Sequence, residues 1–229
     1  MSPEHKHIVK SFDQDLQRLQ ELFMELNALV ILQLEKASTA VIEHDKHMAK
    51  EIYEDDDKVD AIEFEITQFS LRLLAQRQPL GEDLRRIVSA FKIATNLERI
   101  GDYAENMAKR ILKSENHRKL HESNPFRQSF LTLTKVVMNR LEEVMKAYVE
   151  NDAETAQKLW KKDEEINEFY WQSFQEILNF MIAHPQDIPF YTDLLFILKN
   201  LERAGDRISN IAESIVFIKL GSLKVKKEK

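Results

Sequence analysis

A thirteen-residue motif occurs twice in this chain of 229 residues. The sequence reads NLERIGDYAENMA over residues 96–108 and NLERAGDRISNIA over residues 200–212, with eight of the 13 positions identical. A second pair of similar segments begins at Asp45 and at Asp152. The offset is 104 residues for the first pair and 107 for the second. Such internal similarity indicates a structural unit that is present twice.

Glycine and proline are scarce, with four and five residues respectively. These residues usually supply the turns that a sheet protein needs in large number, so the composition favours a few long helices. Asp45 and Asp152 each follow an amphipathic run and are predicted to be N-caps of the next helix. With the proline and glycine breaks, these signals predict helices near residues 4–43, 45–77, 82–114, 125–150, 152–183 and 188–220.

The helix order and the repeat together predict an all-α protein of two tandem, pseudo-symmetric three-helix bundles. We expect the first bundle to span residues 1–118 and the second to span residues 119–229. The chain has no cysteine, which excludes disulfides, zinc fingers and Cys-ligated iron–sulfur clusters. No apolar run approaches the roughly 20 residues of a membrane span. A net charge of −6 argues against nucleic acid as a partner.

The third predicted helix carries a stripe of residues at alternating steps of four and three, a spacing typical of a core-facing seam. Its members are Leu84, Val88, Phe91, Thr95, Glu98 and Asp102. We therefore expect Glu98 and Asp102 on the packed face, where a carboxylate needs a cation or hydrogen bonds. The second half repeats the stripe with Ile188, Leu195, Glu202 and Asp206.

The preceding helices add further acidic residues. Asp56 and Asp60 are i, i+4 neighbours, and hairpin packing would bring them towards Glu98 and Asp102. Side chains rich in oxygen on two facing helices can form a site for a hard cation. Pairing with an arginine such as Arg99, without metal, is the alternative. The second half offers Asp163, then Asn167 where the first half has an aspartate.

Gly101 and Gly205 occupy matching positions inside helices, where glycine costs about 1 kcal/mol relative to alanine. Their presence indicates either a close approach between helices or access of a ligand to the backbone.

Two segments resemble a known family. The stretch RQPLGEDLR at residues 77–85 is followed by IATNLERIGD at residues 93–102, and the second half repeats the pattern at residues 201–212. These motifs are similar to those of the PhoU family of phosphate-uptake regulators, and the similarity covers almost the whole chain. The resemblance implies two similar three-helix bundles. It also implies a cytoplasmic, non-enzymatic negative regulator that links the ATPase of the phosphate ABC transporter to a sensor histidine kinase, with a homodimer as the expected assembly.

The resemblance also implies a metal site, because some family members bind metal clusters at an acidic-x-x-x-Asp motif. By position it selects Asp56, Asp60, Glu98 and Asp102 in the first bundle, and Asp163, Glu202 and Asp206 in the second. Oxygen ligands suit Mg, Mn or Fe. Asn167 departs from the acidic pattern of the family.

Two other classes of function stay open at this point. One is a carboxylate-bridged metal enzyme built within the bundle, against which the lack of core histidine ligands argues. The other is a structural adaptor without metal.

Overall fold

The computed structural model describes residues 3–115, 118–122, 124–161 and 164–221. Within these ranges the chain is helical and contains no strand. The helices are α1 (Pro3–Glu43), α2 (Lys46–Arg77), α3 (Gly81–Lys113), α4 (Pro125–Glu150), α5 (Ala153–Lys161), α6 (Glu164–Ala183) and α7 (Ile188–Leu220), with a short 3₁₀ turn at Pro185–Asp187 before α7. In the described part of the chain, no helix is both long enough and apolar enough to cross a bilayer.

The predicted all-α architecture of six helices is confirmed. Five helices match their predicted bounds within one residue, and α5 and α6 together occupy the place of the fifth. Both predicted caps are confirmed: Asp45 Oδ1 accepts from the backbone N–H groups of His47 (2.9 Å) and Met48 (3.0 Å). Asp152 Oδ1 accepts in the same way from Glu154 and Thr155, each at 3.0 Å. The caps satisfy donors that the first turn of a helix leaves unpaired.

Each half of the chain forms its own group of packed helices. α1, α2 and α3 contact one another in the first half, and α4 and the α5–α6 pair contact α7 in the second. Contacts between α1 and α4 and between α3 and α7 join the halves. The predicted division between residues 118 and 119 falls in the connection between α3 and α4, where buried Leu120 donates its backbone N–H to Ile42 O (2.8 Å).

α3 and α7 are the central helices and run antiparallel. Arg85 near the start of α3 donates to Ile218 O near the end of α7 (2.8 Å). At the other end, Arg110 of α3 pairs with Asp193 of α7 (2.9 Å). Each central helix therefore buries one side in its own half and another side against the opposite half.

The prediction that the stripe faces the core is wrong for Leu84, Val88 and Thr95, whereas Phe91, Glu98 and Asp102 are half-buried. Leu84 and Val88 are 38% and 39% exposed, and Thr95 is exposed. Ile188 of the second stripe is likewise 44% exposed. The buried residues of α3 lie beside the stripe and are Ile87, Ser89, Ala90, Ile93, Ala94, Leu97, Ile100, Gly101, Tyr103, Ala104, Glu105, Met107, Ala108 and Ile111. This wide buried face combines large and small residues, because α3 packs against α1 and α2 on one side and against α7 on the other.

Gly101 and Gly205 mark close contacts between helices. A Cβ at Gly101 would lie 3.0 Å from Gln33 Oε1 and 3.2 Å from Val59 Cγ1. A Cβ at Gly205 would lie 2.9 Å from both Cδ1 and Cγ2 of Ile166. The close approach of neighbouring helices therefore accounts for both glycines.

Candidate functional site

Acidic residues from both helices line the outer groove between α2 and α3. The helices form an antiparallel hairpin, so positions 56, 60 and 63 of α2 face positions 102, 98 and 95 of α3. Thr95 Oγ1 donates to Glu63 Oε1 (3.4 Å), which fixes this register. Further along this groove, the carboxylate oxygens of three residues lie within 4.8 Å of one another. The residues are Asp56, Asp102 and Glu105. We call these three residues the acidic triad.

Burial and mutual repulsion disfavour the charged forms of two carboxylates in this groove. Burial raises the pKa of Asp56 to about 6, with further contributions from the charges of Glu105, Asp60 and Asp102. Burial likewise raises the pKa of Glu98 to about 7, with the charge of Asp102 second in size and Arg99 opposing the shift. Carboxylates crowded in this way favour protonation or the binding of a cation.

Two carboxylate oxygens here are buried without a hydrogen-bond partner among the described residues. They are Asp56 Oδ1 and Glu98 Oε2. Arg99 Nε nevertheless lies 3.4 Å from Glu98 Oε2, and an interaction with the Gln33 side chain opposes the rise that burial causes in the pKa of Asp56. Gln33 extends from α1 towards Gly101 and is only 5% exposed. Unsatisfied buried oxygens are rare in folded proteins, and an ion is one of the usual reasons for them. The acidic triad could therefore hold a metal ion.

Two cations within the chain compensate part of the acidic charge. Arg99 Nη1 pairs with Asp102 Oδ2 (2.7 Å), and its Nε lies 3.4 Å from Glu98 Oε2. Lys109 Nζ pairs with Glu105 Oε2 (2.5 Å) and also lies over the ring of Tyr53. The groove contains six carboxylates, so two cations leave most of the negative charge uncompensated. The six are Asp56, Asp60, Glu63, Glu98, Asp102 and Glu105.

Sequence reasoning missed Glu105, which is buried and completes the triad. Its position three residues after Asp102 places it on the same face of α3, and this spacing could have predicted its role. The duplicated motif hid it, because the equivalent position in the second half is Ser209. The predicted residue Asp60 is exposed, and it acts on Asp56 and Glu98 only through its charge.

The equivalent groove in the second half differs in charge. Lys199 Nζ pairs with Glu202 Oε2 (2.6 Å) and lies 5.2 Å from the ring centre of Tyr170. Lys199 matches Thr95 of the first half, so an ammonium stands where the first groove has a hydroxyl. Asp206 is exposed, and the predicted residue Asp163 lies outside the described residues. Across the described ranges, the structure brings together no acidic group of three other than the triad.

Fold and site together define an all-helical protein of two repeats whose first repeat carries a partly buried acidic cluster. The PhoU domain model matches the chain twice, over residues 23–111 and 130–215. The chain therefore belongs to the PhoU family.

Relatives match over nearly their whole length. The phosphate-specific transport system accessory protein PhoU homolog of Caulobacter vibrioides is 37% identical over 215 residues, which are 93% of this chain and 91% of that protein. The crystal structure of PhoU from Pseudomonas aeruginosa superposes with a TM-score of 0.83 at 28% identity, covering 92% of this chain and all of that one. The crystal structure of the phosphate transport system regulatory protein PhoU from Streptococcus pneumoniae gives 0.82 at 31% identity, covering 93% and 98%.

Proposed function

We propose that this chain is a regulatory accessory protein of phosphate transport. The observation that carries the proposal is the similarity of both repeats, across 93% of the chain, to a protein named for that role in Caulobacter vibrioides. The role is non-enzymatic and cytoplasmic. When phosphate is plentiful, the protein binds the ATPase of the phosphate ABC transporter and restrains a sensor histidine kinase.

Deletion of the gene tests the regulatory role. We expect genes of phosphate uptake to be expressed in phosphate-rich medium, where the intact strain keeps them low. Expression of the wild-type protein from a plasmid should restore repression. Unchanged expression in the deletion strain would contradict the proposal.

Co-purification tests the partners. The chain carrying an affinity tag should retain the transporter ATPase and the kinase from membranes solubilised out of phosphate-rich cells. Absence of both from the eluate, when the deletion strain shows loss of repression, would mean that regulation takes another route. Light scattering on the purified protein tests the homodimer that we expect as its assembly.

We further propose that a hard metal ion binds the acidic groove of the first repeat. Asp56, Asp102 and Glu105 would be its nearest ligands, with Glu98 and Asp60 one turn away. The raised pKa values, the unpaired buried oxygen of Asp56 and the excess of carboxylates over cations support this site. Mg, Mn or Fe would suit ligands that are all oxygen. The ion would neutralise repulsion between α2 and α3 and so stabilise their packing.

The second repeat would bind metal more weakly. Its candidate ligands are Asp163, Glu202 and Asp206, and Lys199 already neutralises Glu202. Asn167 and Ser209 replace the equivalents of Asp60 and Glu105, which removes two further charges. We therefore expect a lower metal content in this half.

The metal content of purified variants tests the site in the first repeat and the weaker binding in the second. Protein purified without chelator should contain metal, and Asp56→Ala with Asp102→Ala should remove most of it. Glu202→Ala with Asp206→Ala is the matched control in the second repeat, and it should leave most of the metal in place. Equal losses in both variants would contradict the preference for the first repeat. A wild-type protein without metal, whose melting temperature does not respond to Mn or Fe, would contradict the site altogether.

A further inference from the structure

A second surface feature lies between the two repeats and adjoins the acidic groove at Lys109. An open cleft of about 720 Å³ runs between the C-terminal half of α3 and the N-terminal half of α7. Five cationic side chains line it. Lys109, Arg110 and Lys113 come from α3, and Lys199 and Arg203 come from α7. We call this the basic cleft.

The cations of the basic cleft fall into two groups. Lys109, Arg110 and Lys199 each have a carboxylate partner, namely Glu105, Asp193 and Glu202. Lys113 and Arg203 show no ion pair with a described carboxylate, although both are exposed and line the cleft.

The acidic residues of the lining are fewer. They are Asp193, whose oxygens are engaged by Arg110 and by Ser114 Oγ (2.5 Å), and Glu115. A concentration of positive charge is notable in a chain whose net charge is −6.

Packing holds two of the arginines in place. The guanidinium of Arg110 lies 4.2 Å from the ring centre of Phe196, and that of Arg203 lies 5.5 Å from the ring centre of Tyr103. Tyr103 is itself buried, and its hydroxyl accepts from Arg207 Nε (3.2 Å). Arginines oriented in this way lose less side-chain freedom when they bind a ligand.

Because the two repeats are related, the basic cleft can be compared with its counterpart at the other end of the α3–α7 interface. The equivalent cleft at the other end of the α3–α7 interface has a volume of only about 180 Å³. At the positions that match Lys109, Arg110 and Lys113 it carries Glu213, Ser214 and Phe217. The positive charge therefore does not follow from the packing of these two helices, because the same packing carries a different set of side chains at the other end.

We propose that the basic cleft binds a small anion with two or more phosphoryl groups. Guanidinium and ammonium groups are the usual partners of phosphoryl oxygens, and the arginine fork binds two oxygens at once. The cleft is wide enough for a ligand larger than a single phosphate, and its cations come from both repeats. Such a ligand would bridge α3 and α7. This inference does not depend on the metal site or on the role in phosphate transport.

Calorimetric titration of the purified, chelator-treated protein tests the inference. The probes are tripolyphosphate, pyrophosphate, orthophosphate and sulfate, each at 50 mM and 200 mM NaCl. We expect tripolyphosphate to bind most tightly, pyrophosphate next, and the single-centre anions weakly. The higher salt concentration should weaken binding because the cleft is open to solvent. Equal affinity for sulfate and tripolyphosphate would overturn the proposal.

Variants locate the site. The double variant Lys113→Ala with Arg203→Ala should raise the Kd for tripolyphosphate about tenfold or more, since each removes a charged hydrogen-bond donor. Lys92→Ala, in the smaller repeat-related cleft, is the matched control and should change the Kd less than twofold. All three side chains are exposed, so an unchanged circular dichroism spectrum should confirm that both variants fold. Equal losses in the two variants would overturn the assignment to the basic cleft.

ATP as a further probe separates two sources of the same chemistry. Phe196 is 52% exposed at the cleft and offers a surface for a nucleobase. Tighter binding of ATP than of tripolyphosphate, lost in Phe196→Ala, would assign a nucleotide. Equal binding of the two, unaffected by Phe196→Ala, would assign an inorganic phosphate chain.

Discussion

The pKa of Asp56 depends on its burial and on the charges of the acidic residues around it. Its carboxyl group has a pKa of about 6 in the folded chain because the site is partly buried and surrounded by acids. The ordinary value is 3.8, so between pH 4 and 6 the folded state binds more protons than the unfolded state. Without metal, this group therefore contributes less to stability as the pH rises through that range.

Asp56→Asn should accordingly stabilise the metal-free protein at pH 7.5. We expect a gain of about 1 kcal/mol, since exposure to solvent screens part of the repulsion. At pH 4 the gain should be much smaller, because the carboxyl is then protonated in the folded state and partly protonated in the unfolded state. Thermal unfolding of chelator-treated wild type and variant at the two pH values measures this. An Asn variant that is less stable at pH 7.5 would contradict the repulsion.

The two helical glycines predict unequal responses to alanine. Alanine gains about 1 kcal/mol of helix propensity over glycine, and overpacking costs about 1–3 kcal/mol. At Gly101 the nearest atom is the end of the Gln33 side chain, which can move, so the two effects should nearly cancel. At Gly205 the new methyl group would meet the branched side chain of Ile166 at 2.9 Å, so Gly205→Ala should be destabilising.

Urea denaturation of Gly101→Ala and Gly205→Ala measures the difference. Ile166→Ala combined with Gly205→Ala should recover part of the loss, as a double-mutant cycle would show. Independent, additive effects of these two substitutions would contradict the contact.

At the scale of the element, the bounds of the helices were predictable because breaks and caps act locally. Asp45 and Asp152 hold the first turns of α2 and α5 through bonds to residues two and three positions later. Proline interrupts a helix beyond its first turn whatever packs against it, as at the breaks before α3 and before α7. Such signals need no knowledge of what packs against the helix.

Asp152→Ala should lower stability by about 1 kcal/mol through loss of this cap. For a chain of this size that corresponds to a fall in melting temperature of about 2–4 °C. Asp152→Asn is the control, because asparagine also caps well and should retain most of the stability. Equal losses in the two variants would mean that the charge, and not the cap, matters.

The buried face of α3 was not predictable from its stripe, because that face depends on how many neighbours the helix has. Leu84, Val88 and Phe91 have the spacing of a seam, yet the buried face of α3 runs beside them. That face includes Ile87, Ala90 and Ala94. A helix packed on one side would bury its bulky residues, whereas α3 lies between two groups of helices. Glu105 was missed for a related reason: only the register of α2 against α3 brings it to Asp56.

At the scale of the whole molecule, the α3–α7 interface makes one folding unit of two repeats. Both tryptophans, Trp160 and Trp171, lie in the second half. Tryptophan fluorescence therefore reports that half alone, whereas far-ultraviolet circular dichroism reports all helices. We expect the two signals to give the same midpoint in guanidinium chloride, because neither half keeps its buried α3 or α7 surface without the other. Two distinct midpoints would show that the repeats unfold separately.

The hydrogen bond from Arg207 to Tyr103 indicates how the interface between the repeats responds to dilution. These residues are 104 positions apart, the offset of the repeat itself, so they occupy the same place in their two units. The interface thus has the geometry of an isologous contact between two subunits, with its pseudo-twofold axis near this pair. In a two-subunit protein that contact would dissociate at low concentration. Here a covalent connection fixes the effective concentration of one repeat around the other, so the interface is independent of how much protein a cell contains.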